Sequence, residues 1–201
     1  MYNIKNVNDC RDAYDSWATT FDEDVLGPSQ DYVAHTYVAE AVKGTIADIT
    51  TAEVLDAGCG TGLSGAAVVE AGARTVDGVD LSPGMLKVAA KRGIYRRLGT
   101  ADLSKAIPDT RDASYDVVVC VGTLTHGHVG PVPALREFVR IVKSGGCVAA
   151  TIIDDIWASG GYEAEVNKLK GQGLVEIVSS DSKDYRKAAG VSARILVLRK
   201  T

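Results

Sequence analysis

The chain predicts an α/β domain on a doubly wound, largely parallel sheet, with helices ahead of it. Three observations carry this. From about residue 53 onward, short apolar strands alternate with helical stretches, and strict alternation places helices on both faces of a parallel sheet. The segment Tyr115-Asp116-Val117-Val118-Val119-Cys120-Val121 is an almost unbroken apolar run, as a strand covered on both faces requires. The first strand also runs through Gly58, Gly60 and Gly62 directly into a helix.

Taken in order, Asn8 can cap a first helix whose stripe is Cys10, Ala13, Tyr14, Trp17 and Ala18, the spacing of one helical face. Gly27-Pro28-Ser29 breaks the chain, and Ser29 can cap a second helix that buries Val33, Tyr37, Val38, Ala41, Val42, Ile46 and Ile49. Strands follow at 53–57, 75–80, 95–101, 115–121, 146–153, 174–180 and 192–199, with helices at 62–72, 82–92, 131–143 and 162–171. The helix at 131–143 shows Leu135, Phe138, Val139 and Val142 on one stripe and ends at Gly145-Gly146. Residues 181–191, between the last two strands, lack an apolar stripe, which predicts an antiparallel pair there.

A length of 201 residues suits one domain, 1–201, with a real core and no need of disulfide or metal staples. Within it we expect an N-terminal helical lid and first helix (1–50), a cofactor-binding core (51–153) and a substrate-side helix and hairpin (154–201). The net charge of -4 disfavours nucleic acid, whose phosphates call for a basic face. Lys91-Arg92 and Arg96-Arg97 read as a solvated helix end and turn. Cys10, Cys59, Cys120 and Cys147 form no C-x-x-C pair and have no metal-ligand spacing, the usage of a reducing compartment. No signal peptide and no apolar window of membrane length is evident, so the expectation is a cytoplasmic protein, monomeric or weakly dimeric, without a membrane partner.

The chemistry centres on Asp56-Ala57-Gly58-Cys59-Gly60-Thr61-Gly62. Glycines let the backbone turn sharply and approach a ligand, and the next helix presents free N–H groups. Gly60-Thr61-Gly62-Leu63-Ser64-Gly65 also fits the dinucleotide pattern G-x-G-x-x-G. Asp56 discriminates: a carboxylate there repels a pyrophosphate but suits the ammonium of S-adenosylmethionine, held directly or through water. The chain also lacks a Tyr-x-x-x-Lys pair that a nicotinamide oxidoreductase would use. Asp80 ends the second strand 18 residues after Gly62 and can accept two hydrogen bonds from a ribose diol. Ser82 before Pro83 is the better cap of the next helix, with Leu81 and Met85 beside the site. Asp102, between Ala101 and Leu103 at the third strand's end, can accept from an adenine amino group while Leu103 flanks the ring, or can serve as a turn aspartate.

Three acidic marks at three successive strand ends resemble the class I S-adenosylmethionine-dependent methyltransferases over about residues 50–150. The resemblance implies a Rossmann-like, seven-stranded sheet in the order 3-2-1-4-5-7-6 with the last strand antiparallel. Tyr14-Asp15-Ser16-Trp17-Ala18, Phe21-Asp22-Glu23-Asp24-Val25, the segment from Gly78 to Leu86, Gly93-Ile94-Tyr95 and Val121-Gly122-Thr123-Leu124 are similar to the Williams–Beuren syndrome region methyltransferase-like group. That resemblance implies an aromatic of the first helix, Tyr14 or next Trp17, closing over the methionine end of the cofactor; both also fit the buried stripe of that helix. Cys59, Leu63, Val121 and Gly122 complete the expected cofactor set.

Methyl transfer from a sulfonium is an in-line displacement, in which the protein mainly positions the acceptor and excludes water. His126 and His128, in the glycine-flanked loop after the fourth strand, are the candidate bases, needed only if the acceptor loses a proton. Asp154-Asp155 can line the same mouth, but the acidic partner that a magnesium-dependent catechol-type enzyme places after the fourth strand is missing, so no metal is expected. The Asn/Asp-Pro-Pro-aromatic motif of enzymes that methylate exocyclic amino groups is absent too. A small-molecule acceptor is expected first, a protein side chain second, and a non-catalytic binding module remains the alternative of a different class.

Overall fold

In the computed structural model, which describes residues 6–201, the strands are β1 (Glu53–Ala57), β2 (Thr75–Asp80), β3 (Arg97–Thr100), β4 (Tyr115–Leu124), β5 (Val142–Ile153), β6 (Val175–Arg186) and β7 (Val191–Lys200). They form one seven-stranded sheet in the order β3-β2-β1-β4-β5-β7-β6. The β1–β2, β1–β4, β2–β3 and β4–β5 pairs are parallel. β7 is antiparallel to both β5 and β6. This is the Rossmann-like sheet that the alternation and the resemblance imply. The first five residues of the expected N-terminal lid lie outside the described residues.

The helices are α1 (Val7–Trp17), α2 (Phe21–Leu26), α3 (Ala34–Thr45), α4 (Leu63–Glu70), α5 (Pro83–Lys91), α6 (Pro131–Ile141), α7 (Asp154–Trp157) and α8 (Tyr162–Gly171). β4 explains its own sequence. Val118 and Cys120 enter a core with Leu135 and Phe138 of α6, while Val117 and Val119 enter a second core with Val38 and Val42 of α3. Both faces of the strand are dry, so both sets of alternating positions are apolar.

Several boundaries differ from expectation. Asn6, not Asn8, caps α1: its backbone is extended and its side chain accepts from the N–H groups of Asn8 and Asp9. Ser29 caps nothing, because 27–33 forms a turn whose Tyr32 bridges to Arg186, and α3 starts only at Ala34. α2 and α7 are too short, at 6 and 4 residues, to show a helical period. Val142 leaves the α6 stripe and pairs with Tyr115 as the first residue of β5. The expected 181–191 loop is mostly ladder, with Asp181 to Arg186 paired to β7 as an edge strand. An edge strand with wet faces needs no apolar alternation.

Arg96 and Arg97 are exposed, as a solvated segment requires, and both also bond to buried Asp77, which accepts from Tyr115 as well. Burial alone raises the Asp77 pKa, but the Arg96, Arg97 and Tyr115 donors outweigh it and hold the carboxyl down to about 2. Arg92, by contrast, is half-buried, donating to Thr61 O at 2.7 Å and pairing with Asp22.

Candidate functional site

A cavity of about 1050 Å³ opens at the carboxyl ends of β1, β2 and β4, under α1. Its floor is the turn from β1 to α4. The N–H groups of Gly58 and Cys59 donate to Val79 O at 2.8 and 3.0 Å, which ties the turn to β2. The Gly60 N–H donates to Asp80 Oδ2 and the Ser82 N–H to Asp80 Oδ1, each at 2.8 Å. One oxygen of Asp80 is therefore held by each side of the cleft, and the carboxylate borders the cavity. Burial raises its pKa, while the backbone donors at Ser82, Gly60 and Leu81 oppose that rise. Gly58 has φ of +77°, and a Cβ there would lie 2.1 Å from Thr123 Oγ1.

Gly58, Cys59, Gly60, Leu63, Leu81 and Met85 line the cavity, and Gly62 does not. Gly62 turns the chain into α4 at φ of +94°, beneath Arg92 and Tyr95. Asp56 also stays out of the lining. It is fully buried below the turn, with Ser64 Oγ donating to both its oxygens at 2.9 and 2.8 Å and Tyr95 OH donating at 2.7 Å. Burial pushes its pKa up to about 6 against those donors. Asp56 thus braces the turn from beneath; of the two expected ways of holding an ammonium group, directly or through water, this geometry does not offer the direct contact. Tyr95 and Ser64, which hold it, carry no sequence signal beyond their places after the glycine turn and in the Gly93-Ile94-Tyr95 segment.

At the far end Ala101, Asp102 and Leu103 line the cavity. Asp102 Oδ1 accepts from Ser104 N and Oγ, and Oδ2 pairs with Lys105, so the turn role is filled at the same time. Val121 and Gly122, near the end of β4, form a wall of the cavity, where Gly122 N–H donates to Thr151 Oγ1 at 2.9 Å.

α1 lies over the cavity and is latched at three places that sequence reasoning missed or left open. Asp15 Oδ1 accepts from Gly84 N–H at 2.7 Å and from Ser82 Oγ at 2.5 Å, so it caps α5 from outside. Just beyond α1, Asp22 pairs with Arg92 and accepts from Thr61 Oγ1. Tyr14 OH lies 3.0 Å from His128 Nε2. Trp17 also borders the cavity, and its Nε1–H donates to Asp24.

The His126 carbonyl fixes the tautomer of His128. Its Nδ1 sits 2.6 Å from His126 O, and a carbonyl only accepts, so Nδ1 carries the proton. In the neutral ring Nε2 then accepts from Tyr14. Burial lowers the His128 pKa, against the His126 carbonyl, so the ring is neutral at neutral pH. His126 is exposed, with Nε2 3.1 Å from Asp155 Oδ2. The two histidines are therefore not equivalent: His128 lies half-buried against α1, and His126 faces solvent. Asp154 bonds Ser182 and pairs with Arg194, on the β6–β7 side, and does not line the cavity. Among the described residues no group of three His, Cys, Asp or Glu side chains could hold a metal ion, and no helix is long and apolar enough to cross a membrane.

Removing the Tyr14 hydroxyl (Tyr14→Phe) should loosen α1 by about 1 kcal/mol, read as roughly fivefold faster amide exchange in α1. Unchanged exchange would show that the Asp15 and Asp22 latches alone hold the helix. The pH dependence has a defined sign. The folded pKa of His128 lies below the ordinary 6.5, so the unfolded chain takes up the proton first as pH falls. The stability contribution is full above 6.5 and is lost between 6.5 and the lower folded value.

Comparison with known proteins agrees with this geometry. A methyltransferase domain matches residues 54–146. Human methyltransferase-like protein 27 is 33% identical over 168 residues, covering 81% of this chain and 66% of that protein. A ubiquinone biosynthesis O-methyltransferase of Paracidovorax citrulli is 34% identical over 115 residues, covering 54% of this chain and 47% of that protein. The chain thus spans about two thirds of one of these curated relatives and about half of the other. In fold, magnesium protoporphyrin IX methyltransferase of Synechocystis, solved with bound S-adenosylhomocysteine, superposes with a TM-score of 0.71 at 20% identity, covering 98% of this chain and all of that one. A methyltransferase domain on a sheet of this strand order, with the glycine turn and Asp80 at adjoining strand ends, makes the chain a member of the class I S-adenosylmethionine-dependent methyltransferases.

Proposed function

We propose that the chain binds S-adenosylmethionine across this cavity and directs its methyl group to a small-molecule acceptor. The observation that carries this reading is the cavity itself. It runs unbroken from Leu103 past Gly60 and Asp80 to His128 and Tyr185, and at about 1050 Å³ it exceeds what one ligand of ordinary size fills. The fit to the cofactor rests on the same residues. Asp80 offers acceptor lone pairs where a ribose diol would donate, and a Cβ at Gly60 would meet nothing within 4 Å, which leaves that face of the turn open to a ligand. Bound there, S-adenosylmethionine supplies a methyl group already activated on a sulfonium.

The chain's own task is then placement and exclusion of water. Tyr14, Trp17 and Phe21 roof the cavity and exclude solvent. His128 Nε2 accepts the acceptor's proton when there is one to lose, once the Tyr14 hydroxyl yields its place. The relatives support the acceptor class: one is named for ubiquinone biosynthesis and one fold neighbour for magnesium protoporphyrin IX, both small molecules. A second reading, a module that binds the cofactor without turnover, is favoured by one observation, that Tyr14 occupies the lone pair of His128.

Thermal unfolding with S-adenosylhomocysteine, S-adenosylmethionine and NAD in parallel tests the reading. At about 100 times its dissociation constant each adenosyl ligand should stabilise by about 2.7 kcal/mol, a shift of roughly 5–10 °C, with none from NAD. A shift with NAD alone would overturn the cofactor assignment. A shift with the adenosyl ligands, but no labelled methyl passed to any fraction of a metabolite extract, would favour the module that binds without turnover.

A further inference from the structure

The part of the cavity that the cofactor reading leaves unused is the wall made by Tyr32, Tyr185 and Arg186. Arg186 ends β6 and borders the cavity. Its Nε is buried without a hydrogen-bond partner, and Nη1 reaches Gln30 Oε1 only at 3.3 Å. Among the described residues its guanidinium has no carboxylate partner. The other arginine at the cavity, Arg11, is already bonded to Asp12. The carboxylates of the lining are Asp80 and Asp102, and both are committed, to Gly60 and Ser82 and to Ser104 and Lys105. A guanidinium with its Nε buried and no counter-charge is unsatisfied, and its planar fork matches a carboxylate.

The surroundings define the rest of the ligand. Tyr32 and Tyr185 meet edge to face at 5.0 Å, and both hydroxyls border the space over Gly122, where a Cβ would come within 3.1 and 3.2 Å of them. The Arg186 guanidinium lies 5.8 Å from the centroid of the Tyr185 ring. With Tyr14 in the same lining, this is an aromatic wall with a cation at one end. Arg186 reaches it from β6, on the flank of the sheet away from the β1–β2 side that holds the glycine turn. The cation therefore stands on the acceptor's side of the cavity.

We propose that the acceptor is an aromatic carboxylate, its ring held between Tyr185, Tyr32 and Tyr14 and its carboxylate on the fork of Arg186. This rests on the methyl-transfer reading above. The charge also suits the site, since an anion offsets a sulfonium across the cavity.

Benzoate and its neutral isostere benzamide test it, titrated against protein saturated with S-adenosylhomocysteine, beside inorganic phosphate. Benzoate should bind at least about tenfold more tightly than benzamide, the size of a charge-assisted hydrogen-bond pair. Arg186→Gln should abolish that preference and Arg186→Lys restore part of it, because the ammonium keeps the charge without the fork. All three proteins should keep S-adenosylhomocysteine affinity within about twofold, which also reports that they fold. Equal binding of benzoate and benzamide, no binding of either, or tighter binding of phosphate would overturn the assignment. So would loss of S-adenosylhomocysteine affinity in Arg186→Gln, which would give the guanidinium to the cofactor's own carboxylate. Failure of the wild-type protein to bind S-adenosylhomocysteine at all would instead overturn the methyl-transfer reading, and this inference with it.

Discussion

Asp80→Asn should weaken S-adenosylhomocysteine binding by about a hundredfold, since two charge-assisted hydrogen bonds to a ribose diol are at stake. Each carboxylate oxygen already accepts one backbone N–H, from Gly60 and from Ser82, so what faces the cavity is the remaining lone pairs. An asparagine removes the charge and turns an NH2 toward one of those backbone donors. The substitution should therefore also cost the unliganded protein about 1–3 kcal/mol, because a buried donor is left without an acceptor. Calorimetric titration, run well below the melting temperature of the variant, separates the two effects. Affinity within about threefold of wild type would remove Asp80 from the cofactor site. Binding through this carboxylate should need its ionised form, and burial places its pKa above the ordinary 3.8. Affinity should accordingly fall, on acidification, earlier than for an ordinary carboxylate.

Gly58→Ala should destabilise the protein by about 2–5 kcal/mol, through two additive causes. The backbone at φ of +77° strains any residue with a Cβ, and that Cβ would lie 2.1 Å from Thr123 Oγ1, 3.0 Å from Thr123 Cβ and 3.1 Å from Thr123 Cγ2. Thr123→Ala in the same chain removes two of those three atoms. It should recover the clash, about 1–3 kcal/mol, and leave the backbone strain of about 1–2 kcal/mol. Denaturant unfolding of the two single variants and the double variant measures the coupling. Losses that simply add would show that the turn and the end of β4 are not in contact in solution. The pair matters to function because Thr123 sits where the β4 wall meets the glycine floor.

Part of this protein could be read along the chain. The segment from Glu53 to Glu70 announces a strand, a glycine turn and a helix because apolar period, glycine spacing and helix entry all fall within a few residues of one another. β4 declares its place in the middle of the sheet because a strand dry on both faces has no polar alternation. Asp80 is legible for the same local reason: it stands at a strand end, and Ser82 and Pro83 beside it already account for the helix cap. The antiparallel last pair follows from a connection too short for a crossover.

Other features belong to the tertiary structure alone. Asp56 matches a binding motif in sequence, yet it lies beneath the turn under Ser64 and Tyr95, because the depth of a strand's last residue depends on what packs against it. His126 and His128 are alike in sequence and differ in fate, since Tyr14, 114 positions from His128, covers one and leaves the other to Asp155. The latches of Asp15 on α5 and Asp22 on Arg92 join residues about 70 apart. The meeting of Arg186 with Gln30 spans 156 positions. The elements, their order and the glycine turn were written in the chain, because their signals are periodic and local. Which polar groups face the far end of the cavity came from packing instead, because those contacts are long-range, and side-chain period alone carries no record of them.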